Sequence, residues 1–143
     1  MLARKSFASL IIFIGSLLCF SLPFVTVSCG DAVTLTGKDL VGGVVIQHRS
    51  IATDPWAALA ATSAIVGVGL SIVGRNMAKG ATAAGAVGAV SLLLMKSNIE
   101  TQVRQQSGGM GTVTMETGFF LTMLLLAFAA IWNGIMVVIH EDH

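Results

Sequence analysis

Residues 22–31 read LPFVTVSCGD, and they close an apolar run that starts just after Arg4 and Lys5. Three readings fit: the cleavage site of an exported protein, a reactive cysteine, or the surfacing end of a membrane helix. The small residue before Cys29 loosely resembles a lipoprotein signal. The apolar run is longer than an ordinary signal core, however, and Pro23 interrupts it late. The stretch is therefore expected to end a retained first membrane helix. Pro23 would bend its outer end, and neighbouring helices can satisfy the carbonyl that proline frees.

Composition supports a membrane setting. The chain has 143 residues, of which 55% are hydrophobic and 10% charged. Soluble chains carry about 25% charged residues. Mean hydropathy is +0.86. A net charge of +1 gives no basic footprint for nucleic acid. The charges also leave gaps, from Lys5 to Asp31, Asp54 to Arg75, Lys79 to Lys96 and Glu116 to Glu141. Crossing the hydrocarbon core takes about 20 residues. Three gaps are that long, and the third in order can still span if its flanking lysines snorkel. The expected fold is a single all-α membrane domain over residues 1–143, a four-helix bundle with spans near 6–27, 55–74, 79–97 and 117–139.

The density of Lys and Arg in MLARK and RNMAK places both termini on the cytoplasmic side. Two outer loops then follow, 28–54 and 98–116. In the first, VTVS, AVTLT and GVVIQ alternate as strands do. Thr36-Gly-Lys-Asp39 resembles a capping box, closed by Gly42 and Gly43. Asp54 can cap the next helix, with Pro55 at its first position and Trp56 at the outer interface. Ile99 and Val103, four apart, predict that the third span continues into water until Gly108 and Gly109. The alternation of TVTMETG matches VTLTG, so the two loops could pair as a small β-containing cap.

Small residues recur every fourth position at Ser63, Gly67 and Ser71, and again at Ala81, Gly85 and Ala89. Such spacing lets helix backbones approach closely, and predicts a tight hairpin of the second and third spans across RNMAK. Asn133 is the strongest polar group deep in a span, and interhelical hydrogen bonding is its expected role. Trp132 beside it could stack on a pigment or quinone, but packing is the simpler expectation. The charge gaps leave no ionisable side chain mid-membrane, which proton-coupled transporters usually need.

Other chemistry is thin. Ten helical residues would hold Cys19 and Cys29 about 15 Å apart, too far for a disulfide. Cys29 is expected to be a small packed residue, with a redox or lipidated role as the alternative. His48 falls outside, whereas His140 and His143 share a solvated tail. Glu116 suits the start of the last helix, where the helix dipole favours a carboxylate. No catalytic, metal or cofactor site is expected.

LPFVTVSCG, then VTLTGKDLVGG, then ETGFFLTMLLL are similar to segments of a set of uncharacterised bacterial four-helix membrane proteins. In these the first helix ends in Leu-Pro-Phe/Trp and a Ser-Cys pair, a Thr-Gly-x-x-Leu turn follows, and Glu-x-Gly-Phe/Tyr opens the last helix. The matching residues are Leu22, Pro23, Phe24, Ser28, Cys29, Thr36, Gly37, Leu40, Glu116, Gly118 and Phe119. The resemblance implies a bacterial cytoplasmic-membrane location and brings no activity. The functional expectation is a non-enzymatic accessory subunit whose partners are the lipid bilayer and other membrane subunits, or further copies of itself. Two rivals are an oligomeric transporter or pore lined by Thr62, Ser63, Ser71, Thr82 and Ser91, and a redox or pigment-binding subunit.

Overall fold

The apolar run after Lys5 stays helical only as far as Cys19. The computed structural model describes residues 2–28, 30–46, 49–51, 53–73 and 78–141. It places α1 at Leu2–Cys19 and strand β1 at Pro23–Ser28. This corrects the expected first span over 6–27, because Pro23 opens a strand and bends no helix. The cause is local. Proline disfavours the helical region for Leu22, and Phe-Val-Thr-Val suits a strand. The helix runs out through a tight turn in which the amides of Phe20, Ser21 and Leu22 donate to Leu17, Leu18 and Cys19 at 3.2, 3.0 and 3.0 Å.

The chain continues through β2 (Ala32–Thr36), α2 (Gly37–Gly42), β3 (Val44–Ile46) and β4 (Arg49–Ile51). Then come α3 (Pro55–Val73), α4 (Ala78–Gln106), β5 (Thr112–Met115) and α5 (Thr117–Glu141). The capping box at α2 is present. Thr36 Oγ1 accepts from Asp39 N, and Asp39 Oδ2 accepts from Thr36 N. Asp54 caps α3 through Trp56 N at 2.9 Å. Its second carboxylate oxygen accepts from Asn98 Nδ2 at 3.3 Å, so one buried side chain ties the start of α3 to α4.

At 29 residues, α4 is about 43 Å long, more than a hydrocarbon core. Its last turns carry Ile99, which is buried, and Val103, which packs against the same core. Gly108 and Gly109 have φ of 60° and 90°, the left-handed region where glycine alone carries no Cβ penalty. The Gly109 amide closes the helix on Arg104 O at 3.1 Å.

A cap sheet forms, with a different pairing from the expected one. Its order is β2-β1-β5, both pairs antiparallel. AVTLT and TVTM do not pair with each other. Each pairs with β1, which overlaps the expected first span and contains the strand-like VTVS. Register puts Thr34, Thr26 and Thr114 in one row. Val25 and Leu35 on the opposite face are buried, and Val27, Val33, Val113 and Met115 pack against the core.

Below the cap the four long helices form a ring in which α1 touches α3, α3 touches α4, α4 touches α5, and α5 returns to α1. Three are long and apolar enough to cross a membrane, within Pro55–Val73, Lys79–Gln106 and Thr117–Ile139. The bundle has an inverted surface. Large apolar side chains such as Leu18, Ile72, Leu93 and Leu124 point outward, while Ser9, Ser16, Ser63, Ser71, Ser91, Thr122 and Asn133 are buried. Soluble bundles do the reverse.

Candidate functional site

Most of the small residues chosen from the sequence are inside the bundle, but they serve different neighbours. Ser63, Gly67, Ser71, Ala81 and Gly85 are buried, and Ala89 is half-buried. A Cβ on Gly67 would run into the ring of Phe13, so this glycine seats α1. A Cβ on Gly85 would lie 2.9 Å from both Ala130 N and Leu126 O, so this one seats α5. The expectation that both serve the α3/α4 hairpin is corrected. Within that hairpin it is Gly88 that faces Ser63 Oγ, 2.6 Å from an added Cβ.

The end of the bundle away from the sheet holds a polar relay. Asn133 Nδ2 donates to Ala129 O at 2.8 Å and to Ser9 Oγ at 3.1 Å. Ser9 Oγ lies 3.0 Å from Ser71 Oγ, and Ser71 Oγ donates to Gly67 O at 2.8 Å. Each hydroxyl has one proton, which fixes the order. Asn133 donates to Ser9, Ser9 to Ser71, and Ser71 to its own helix. Three helices are thereby tied by groups that are each less than a tenth exposed. Asn133 thus bonds between helices, as its depth predicted. Ser9 was missed. Its signal was available, since Ser9 and Ser16 are seven apart on the apolar stretch Phe7–Cys19 and so share a face.

Hydrogen bonds between membrane helices average about 0.6 kcal/mol and reach about 1.7. Asn133→Leu removes the first donor of the relay, and Ser9→Ala its middle. Each is expected to lower stability by about 1 kcal/mol in a detergent unfolding titration. The double variant should cost little more than one of them, because the relay is shared. Full additivity would show that these are separate contacts.

A second polar cluster stands where the cap meets α5. Thr26 Oγ1 donates to Glu116 Oε1 at 2.8 Å. Since Thr26 gives its proton to the carboxylate, Thr34 is the donor in the 3.1 Å Thr26–Thr34 contact. The Glu116 amide donates to Phe24 O at 2.8 Å, fastening α5 to β1. Glu116 is half-buried.

Trp132 is half-buried and stacks on Phe128, with ring centroids 6.0 Å apart. Its Nε1 and the Thr122 hydroxyl are buried without a hydrogen-bond partner among the described residues. Cys29, His48 and His143 lie outside the described residues, as does the side chain of His140. The helical spacing used to separate Cys19 from Cys29 does not hold, because Pro23–Ser28 is a strand. No group of three His, Cys, Asp or Glu is placed to hold a metal among the described residues.

Thr62, Ser63, Ser71, Thr82 and Ser91 do not form one outward seam. Ser63, Ser71 and Ser91 are buried and donate to Ala60, Gly67 and Val87 carbonyls of their own helices. Thr62 is exposed, and Thr82 is half-buried. Compared with protein-family models, curated proteins and solved structures, the chain matches none.

Proposed function

We propose that the chain is a four-span protein of a bacterial cytoplasmic membrane and acts, without catalysis, as an accessory subunit of a larger membrane assembly. The fourth span is α1. Its 18 residues give about 27 Å, close to the hydrocarbon thickness. Both termini lie on the cytoplasmic side and the sheet caps the outer side, as the Arg4, Lys5, Arg75 and Lys79 positions favour.

The inverted surface carries this reading. Buried serines are taken up by bonds within the bundle, and the outward helix faces offer apolar packing surface. Such a body suits contact with lipid and with other membrane helices. The inward turn of Ser63, Ser71 and Ser91 weighs against a pore lined by them.

Purification in mild detergent, followed by mass spectrometry, tests the reading. A membrane partner in fixed stoichiometry is expected, with tags on both termini reachable only from the cytoplasm. A homo-oligomer that leaks ions in liposomes, visible absorbance in the pure protein, or termini on opposite sides would overturn it.

A further inference from the structure

The lateral faces of the bundle are not alike. Every exposed aromatic ring among the described residues belongs to α1 or α5: Phe7, Phe120 and Phe128. The exposed large apolar residues of α3 and α4 are Leu, Ile and Val alone. Aliphatic side chains suffice against lipid tails, whereas aromatic side chains are enriched where proteins meet. Because α1 packs directly on α5, the two helices share one lateral face.

At its outer end α5 meets the cap sheet through β1. β1 extends α1, and β5 leads into α5. The apolar side of the sheet packs against the core that Ile99 of α4 enters. The Thr34–Thr26–Thr114 row therefore lies on the side of the sheet away from that core. At the junction of the apolar face and the threonine row stands Glu116. Its carboxylate takes the Thr26 hydroxyl, and no Lys, Arg or His among the described residues pairs with it. A carboxylate without a cationic partner, at the edge of an apolar face, offers a complementary charge to a basic side chain brought by a partner.

We propose that the α1/α5 face seats one transmembrane helix of a partner subunit, and that a Lys or Arg at the outer end of that helix pairs with Glu116. The threonine row then receives the partner's first residues outside the membrane. This rests on the accessory-subunit reading and assigns it a face and a charge.

A photoreactive phenylalanine analogue placed at Phe128, and separately at Val90 on the opposite side, tests the assignment in intact cells. The Phe128 position is expected to crosslink a transmembrane helix with a basic residue at its outer end, and the Val90 position only lipid. Glu116→Gln still offers Thr26 an acceptor, so the fold is kept, which thermal melting in detergent verifies. It should reduce the Phe128 crosslink at least about tenfold, as expected on removing one member of a buried charge pair. Glu116→Lys combined with a basic-to-Glu change in the partner should restore it. Lipid adducts alone at Phe128, a crosslinked helix without the basic residue, or full crosslinking in Glu116→Gln would overturn the proposal. A fixed partner that crosslinks only through Val90 sinks this assignment and leaves the subunit reading standing. Absence of any partner sinks both.

Discussion

Gly85→Val is expected to abolish most of the folded population in detergent. The glycine sits where α4 meets the backbone of α5, and an added Cβ would lie 2.9 Å from Ala130 N and Leu126 O. Those are main-chain atoms of a helix, so no rotamer change can make room. The two helices must separate along their length, and packing is the chief force holding membrane helices together. Overpacking costs about 1–3 kcal/mol where side chains can yield. Here the upper figure is the floor, about a hundredfold in the folded-to-unfolded ratio by the relation that 1.4 kcal/mol is tenfold. Even Gly85→Ala should be clearly destabilised. Gly69, which has nothing within 4 Å of an added Cβ, is the control, and Gly69→Ala should match the parent or exceed it slightly through helix propensity. Unfolding by sodium dodecyl sulfate, followed by circular dichroism, gives the comparison. Equal midpoints for Gly85→Val and Gly69→Ala would mean that α4 and α5 do not touch at this point.

The two glycines also show what the sequence could and could not disclose. Charge gaps revealed α3 and α5 almost to the residue, because a segment without ionisable groups is a solvent statement that needs no tertiary partner. Asp54-Pro55 and Thr36-x-x-Asp39 were readable for the same reason, since caps are made within four residues. Spacing identified Gly67 and Gly85 as close-packed positions, yet gave no hint of the helix each one meets. Their neighbours Phe13 and Ala130 lie far off in the chain. The end of α1 was misread because an apolar run scores alike whether it coils or extends, and β1 is settled by strands on both sides of it. The Asn133–Ser9 bond joins residues 124 positions apart. One polar end of it was conspicuous, and the other looked like any serine in an apolar helix.

Phe13 and Gly67 should behave as a single lock between α1 and α3. Phe13 is fully buried, and its ring occupies the space that a side chain at Gly67 would need. Phe13→Ala leaves a void. In a soluble core that change costs about 3–5 kcal/mol, part of it from exposing apolar surface to water. In the bilayer setting proposed above the water term falls away and the packing term remains, so about 2 kcal/mol is expected. Gly67→Val forces the ring from its seat and should cost about the same or more. Together the changes compensate, because the valine enters the void left by the ring. The double variant should therefore be more stable than the sum of the single effects by about 2 kcal/mol, read from the same unfolding titration. This outcome separates a specific side-chain seat from general tolerance of an apolar interior. If the two substitutions simply add, Phe13 does not rest on Gly67, and the α1/α3 contact has to be placed elsewhere.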